Sequence, residues 1–292
     1  MKEDVLAFAS GSVGAIQPPS TGPVSSFTSS PPRQQTKPVP ELEGDQFKPL
    51  SVIQKAMFRV MTESLSIPHF GYRDDCDVSQ LSEMRRKLKN AKTLGRHTKE
   101  AKVTFMPFFI KAASMALKQY PILNAALDTS GPEPKILLKA SHNIAVAMDT
   151  PDGLLVPCIK NVQQLTVYEI SEELQRLQEL GSKGKLSPAD LSGGTFTLSN
   201  IGAIGGTYAS PVLTAPQVCI GAIGRVQRVA RVISVEDPND SDKEIERVKP
   251  MSIVYLSWSA DHRIIDGATV ARFSNEFKRY VENPTLMIMN MK

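Results

Sequence analysis

Nowhere in this chain do apolar residues run uninterrupted for the roughly 20 positions a transmembrane helix needs. Stretches such as residues 105–117 are broken by Pro107 and Lys111, so no membrane insertion is expected. Cysteine is scarce: Cys76, Cys158 and Cys219 stand far apart and form no CxxC pair, which excludes a disulfide framework and a thiolate zinc site and suits a reducing compartment. Histidine is scarce too. His69, His97, His142 and His262 never fall into a two-histidine spacing with a nearby carboxylate, so no metal site is expected. Charge of either sign is close to balanced, at +4 net and dispersed, which gives no footprint for nucleic acid. The one basic cluster, residues 85–92, reads as a solvated helix face.

What is present, in 292 residues, is 41% hydrophobic and 22% charged composition, that of a soluble globular protein. Residues 17–49 are crowded with proline, serine and threonine and have almost no apolar periodicity, so this stretch reads as a linker. It separates a short opening segment, too short to bury a core, from a remainder that begins near Phe47. The expected division is residues 1–10, a linker over 11–46, and a core domain over 47–292. That core alternates helical and strand signals, which predicts one mixed α/β domain.

Asp77, with Gln80 three residues on and Val78, Leu81, Met84 and Leu88 following, predicts a capped amphipathic helix. Thr166 and Glu169 form a capping box before Val167, Ile170, Leu174 and Leu177, and Gly181 ends that run. Alternation at Ile144, Val146 and Met148, an Asp152-Gly153 turn, and residues 154–159 predict a two-stranded hairpin. Residues 195–199 and 252–259 read as further strands. Asp266-Gly267 opens a last helical pattern through Val270, Phe273, Phe277 and Val281, closed by Pro284. Residues 234–250, acidic and rich in turn formers, are expected to be an exposed hairpin loop.

Chemistry concentrates in Asp261-His262-Arg263-Ile264-Ile265-Asp266-Gly267, where a histidine follows a strand and an aspartate stands four residues on, before a helix. Such a turn holds side chains in a cleft between rigid elements. The bland readings are a satisfied structural histidine at 262, a turn serine at 199 and a helix cap at Asp266, which does not exclude a second role. His69 and His142 lie among apolar or strand residues and read as structural, and His97 reads as exposed. The glycines at 202, 205 and 206 make no dinucleotide fingerprint.

The longer string resembles the active-site motif of the dihydrolipoamide acyltransferases, relatives of chloramphenicol acetyltransferase. Pro68-His69-Phe70-Gly71-Tyr72, Thr104-Phe105-Met106-Pro107, Ala147-Met148-Asp149-Thr150 and Thr197-Leu198-Ser199-Asn200 agree with it and are similar to the branched-chain members in particular. The resemblance covers residues 47–292. It implies a chloramphenicol acetyltransferase-like α/β fold, with a mixed sheet and flanking helices, forming homotrimers that assemble into a larger cubic core with active sites between subunits. It implies transfer of a branched short-chain acyl group from S-acyl-dihydrolipoamide to coenzyme A. His262 is then the base, Ser199 the donor to the oxyanion, and Asp266 the residue that pairs with an arginine to hold the surroundings rigid. Coenzyme A contacts carried over are Arg85, Thr104, Asp149, Gln178, Ser199, Asn200 and Gly224. Residues 2–9 resemble the end of the small domain that binds a dihydrolipoamide dehydrogenase partner; a lipoyl domain is lacking here. The branched-chain 2-oxo acid decarboxylase is the other implied partner, and the mitochondrial matrix the implied location. An acetyl- or succinyl-transferring relative, or a non-catalytic core scaffold, is the alternative.

Overall fold

The computed structural model describes residues 44–90, 103–150, 153–237 and 240–291. The chain divides into two compact units, residues 1–48 and 49–292. The expected remnant over 1–10 and most of the linker lie outside the described residues, as do His97 and Asp152.

The elements of the second unit, in chain order, are α1 (Val52–Ser64), β1 (His69–Asp77), α2 (Ser79–Asn90), α3 (Met106–Gln119), β2 (Ala125–Asp128), β3 (Lys135–Leu138), β4 (Ile144–Thr150), β5 (Gly153–Leu155), β6 (Cys158–Ile159), α4 (Val167–Ser182), β7 (Phe196–Asn200), β8 (Cys219–Ile223), β9 (Gln227–Asp237), β10 (Asp240–Asp261), α5 (Gly267–Glu282) and α6 (Pro284–Asn290). The main sheet has eight strands and is mixed, as expected. Its path is β1-β10-β8-β7-β4-β5, with β6 paired to β4 and β9 to β10. β4, β7 and β8 run parallel, and the other pairings are antiparallel. β2 and β3 form a separate hairpin.

The capping box at Thr166 is present: its Oγ1 accepts from Glu169 N at 3.2 Å, and Glu169 Oε2 accepts from Thr166 N at 2.7 Å. The α4 helix then buries Ile170, Leu174, Leu177 and Gly181 against the sheet. Asp77 stands one residue further out than expected. Its Oδ1 accepts from Ser79 N at 2.9 Å, and α2 starts at Ser79.

Two strand expectations need correction. Residues 154–159 do not make one strand, because Pro157 has no N–H for the ladder and splits the run into β5 and β6, both on β4. Residues 234–250 are not a loop. β9 and the first half of β10 pair antiparallel from Gln227↔Ile253 out to Asp237↔Asp240, with a register shift between Asp240 and Glu244. Alternation survives beneath the charges at Val229, Ile233 and Val235 opposite Met251, Arg247 and Ile245, and pairing partners satisfy the backbone even where both faces are wet.

Helix α3 occupies the centre, with every residue from Met106 to Leu117 buried. Pro107 sits in its first turn, where its missing N–H costs nothing. Lys111, also buried, donates from Nζ to the carbonyls of Val162 and Leu165, so the ammonium satisfies a tight turn in the core. One face of the sheet packs on the helices. Trp258 lies there, with Nε1 donating to Ser274 Oγ at 3.0 Å and its ring edge-on to Phe273 and Phe277. The other face, by strand alternation, carries Ser257, whose Oγ accepts from Ala209 N at 3.1 Å. The segment after β7 therefore runs across the face opposite α3 and α5, where the hydroxyl of Ser64 on α1 donates to Leu213 O.

Candidate active site

β10 ends at Asp261, and His262 is the first residue beyond it. Three bonds set its backbone. His262 N donates to Pro68 O at 2.9 Å, while Ile264 N and Ile265 N both donate to Asp261 O. The Asp261 side chain is buried at 2% exposure and would be costly unpaired. It accepts from Arg263 N at 3.1 Å, Arg263 Nε at 2.9 Å and Arg263 Nη2 at 2.6 Å, which closes the turn around His262. That pairing also raises the Arg263 pKa above its ordinary value.

The imidazole is held by one hydrogen bond, from Nδ1 to Ile265 O at 2.8 Å. A carbonyl oxygen only accepts, so Nδ1 carries the proton and the Nε2 lone pair is free. Among the described residues Nε2 has no hydrogen-bond partner, and the side chain is exposed in the single protomer. The Phe70 ring lies beside it, with centroids 4.9 Å apart and planes tilted by 44°.

Asp266 is the N-cap of α5, accepting from Thr269 Oγ1 at 2.7 Å and Thr269 N at 2.9 Å. These bonds hold its carboxyl below the ordinary carboxylate range. Among the described residues of one protomer no arginine pairs with Asp266, whose oxygens each accept one bond from Thr269. The ion pair of this turn is Arg263 with Asp261.

Ser199 lies near the end of β7, half-buried. It pairs with Ala147 on β4 and Ala222 on β8, and Ala222 pairs with Ser257 on β10. His262 is five residues beyond Ser257, which at about 3.3 Å per residue is about 17 Å along the strand, and it is two strand spacings of about 4.8 Å across. The two residues of one protomer thus occupy opposite ends of the sheet, about 19 Å apart by this arithmetic. No single reacting group bridges that gap.

The expected coenzyme A residues fall into two sets. Asp149, Ser199, Asn200 and Gly224 stand at or just past the carboxyl ends of three neighbouring parallel strands, with Asn200 paired to Ile223, and exposed Gln178 is on α4, which packs on β4. Ligands gather at such strand ends in α/β sheets. Arg85 and exposed Thr104 form the second set. The Arg85 guanidinium carbon lies 4.2 Å from the centroid of the Phe105 ring, next to Thr104 in the chain, and no described contact joins this pair to the strand ends. Gly224 also has a packing reason to be glycine, because a Cβ there would stand 1.9 Å from Thr207 O.

The two other described histidines, His69 and His142, are accounted for structurally. Leu213 N donates to His69 Nε2 at 2.9 Å and His69 Nδ1 pairs with Ile67 O at 2.7 Å, so both ring nitrogens are engaged. It lines a cavity of about 410 Å³ with Ile67, Arg73, Val212 and Ser259 but has no lone pair to offer there. His142 is buried with Nδ1 at 2.9 Å from Ser114 Oγ, and burial lowers its pKa. Sequence reasoning assigned no role to the Ile265 carbonyl, the Asp261–Arg263 clamp or Phe70. Only the clamp had a signal, an acid and a base two residues apart around the histidine.

A family model for the 2-oxoacid dehydrogenases acyltransferase (catalytic domain) matches residues 43–289. The chain is 48% identical over its whole length to the mouse lipoamide acyltransferase component of the branched-chain alpha-keto acid dehydrogenase complex, mitochondrial, and covers 58% of that protein. It is 34% identical, over 99% of its length, to the acetyltransferase component of the pyruvate dehydrogenase complex of Bacillus subtilis, of which it covers 61%. The chain thus spans about three-fifths of the length of the curated relatives it matches. Among solved structures, the dihydrolipoamide acetyltransferase of Azotobacter vinelandii aligns with TM-score 0.70 and 28% identity, over 87% of this chain and 100% of that one. That structure is described as bearing on the role in catalysis of a serine, a histidine and an asparagine four residues beyond the histidine. The cubic core of a pyruvate dehydrogenase multienzyme complex aligns with TM-score 0.69 and 29% identity, over 87% and 100%. The chain belongs to the 2-oxoacid dehydrogenase acyltransferase family and carries its catalytic domain.

Proposed function

We propose that this protein moves a short branched acyl group between dihydrolipoamide and coenzyme A, as the core subunit of a branched-chain 2-oxo acid dehydrogenase complex. The observation that carries the reading is His262, with Nδ1 committed to Ile265 O and Nε2 left as a free base in an exposed turn. A thiol of ordinary pKa, about 8.5, is mostly protonated at neutral pH and needs such a base. Nε2 takes the proton of the coenzyme A thiol as sulfur attacks the thioester carbonyl of S-acyl-dihydrolipoamide. The tetrahedral intermediate then collapses, its C–S bond to dihydrolipoamide breaks, and the imidazolium returns the proton to the departing sulfur. Acyl-coenzyme A and dihydrolipoamide result, with no change in redox state.

The oxyanion needs a fixed donor, and Ser199 Oγ is the candidate. Since Ser199 and His262 of one protomer lie at opposite ends of the sheet, the pair that works together comes from two copies. This supports a homotrimer with its sites between subunits, and the alignment with a cubic core supports further assembly of the trimers. Asp149, Gln178, Asn200 and Gly224 at the strand ends, with Arg85 and Thr104, are the residues proposed for coenzyme A. The match at 48% to a branched-chain relative against 34% to an acetyl-transferring one supports the branched acyl group. By the same relation we place the protein in the mitochondrial matrix, with a 2-oxo acid decarboxylase and dihydrolipoamide dehydrogenase as partners. Residues 1–10 are proposed as the remnant of a subunit-binding domain and 11–46 as its linker.

The test is transferase turnover on free dihydrolipoamide with acetyl-, succinyl- and isobutyryl-coenzyme A. Isobutyryl is expected to give the highest kcat/KM, and His262→Ala to lose at least about 100-fold in kcat. Full turnover by that variant refutes the assignment.

A further inference from the structure

The bond from Nδ1 to Ile265 O holds one corner of the His262 ring and the covalent bond at Cγ another, which leaves the plane free only to rock about that pair of anchors. Phe70 closes one side of it, at 4.9 Å between centroids. Phe70 sits on β1 opposite Ala260 of β10, half-buried and packed against the core, so it is itself anchored.

Its seat depends on Gly267. A Cβ at that position would stand 2.8 Å from Phe70 Cζ, 3.2 Å from Cε2 and 3.4 Å from Cε1, so any side chain there dislodges the ring. Among the described residues, the three atoms nearest to such a Cβ all belong to Phe70, and the backbone itself does not require glycine. Gly267 is the first residue of α5 and is not among the glycines with left-handed φ, and alanine is the better helix former. The room it leaves is filled by the ring that abuts the imidazole.

We propose that Phe70, seated by Gly267, is a positioning residue that fixes the plane of His262 and so aims its Nε2 lone pair at the incoming thiol. The inference rests on His262 being the base. Because the displaced atoms belong to a ring packed against the core, Gly267→Ala lowers stability modestly, whereas misplacing a catalytic group by about 1 Å costs on the order of 100-fold in rate.

The experiment measures kcat, KM and the thermal midpoint for the wild type, His262→Ala, Gly267→Ala, Phe70→Leu and the Gly267→Ala/Phe70→Leu double variant, with isobutyryl-coenzyme A and dihydrolipoamide. Gly267→Ala is expected to lower kcat by about 10- to 100-fold with KM within about twofold and the midpoint lowered by only a few degrees, the protein remaining folded at the assay temperature. Leucine has no atoms where the Cβ would clash, so the double variant is expected to be no slower than Phe70→Leu alone, a non-additivity that a merely structural role would not produce. Wild-type kcat in either single variant, or losses that multiply in the double one, overturns the inference; if Gly267→Ala fails to fold, Phe70→Leu with wild-type kcat still does so. An inactive wild type, or an active His262→Ala, overturns the base assignment and this inference together. An active wild type with inactive His262→Ala and unimpaired Gly267→Ala and Phe70→Leu overturns this inference alone.

Discussion

If each active site takes its histidine from one subunit and its serine from the next, two inactive variants must rescue each other. His262→Ala removes the base, and Ser199→Ala removes one oxyanion donor, a loss of about 100- to 1,000-fold in kcat. Each homotrimer is then at or below about 1% of wild-type activity. In a cyclic trimer containing both variants, whichever is present twice, going round the ring crosses once from an intact histidine to an intact serine. One interface of the three is restored, so trimers purified through a different affinity tag on each variant are expected to show about one third of wild-type kcat per trimer with unchanged KM. The prediction rests on register alone, because Ser199 is level with Ser257 while His262 lies five residues further on. Steady-state transfer of isobutyryl groups to dihydrolipoamide reads it directly. Mixed trimers no more active than their parents refute a site shared between copies.

Three other perturbations probe the core, the α5 cap and a surface ion pair. Gly221→Ala places a Cβ 2.3 Å from Trp258 Cζ3 and 2.9 Å from Leu198 Cδ1 in a packed core, and is expected to cost about 3 kcal/mol, near the upper end for overpacking. The fluorescence of Trp258, the only tryptophan, reports the melting transition, and a midpoint within about 2 °C of wild type contradicts it. Asp266→Asn keeps an oxygen for Thr269 N and is expected to retain activity within a few fold, whereas Asp266→Ala, which uncaps α5, is expected to lose about tenfold or more; equal kcat in the two variants argues against a capping role. The Asp190 carboxyl is held down at about 2 by Arg176 and by Ser187. A depressed folded value gives stability that is present above about pH 4 and fades as pH falls toward 2, about 1 kcal/mol after screening of a partly exposed pair. Urea unfolding of wild type and Asp190→Asn across that range checks it, and a difference that grows toward low pH has the wrong sign.

The helices were legible where an amphipathic stripe began at a cap. Thr166 with Glu169, and Asp266 before Val270 and Phe273, mark α4 and α5 because caps and periodicity are local properties of neighbouring residues. α3 showed no stripe, since it is buried on every side and Lys111 finds its partners only on a distant turn. The β9–β10 extension looked like a loop because its charges are read one residue at a time, while its ladder is made across the strand. At the site, the motif around His262 supplied the residue proposed as the base. Its tautomer needed the Ile265 carbonyl, its neighbour Phe70 comes from β1, and the ion pair that closes its turn is Arg263 with Asp261. Sequence by itself thus determined the caps and the fold class and pointed to the residue proposed to react, all carried by short-range pattern. Only the tertiary structure decided that histidine and serine stand at opposite ends of one sheet, because strand register sums contacts among residues far apart in the chain, and none of those separations is written in any local stretch.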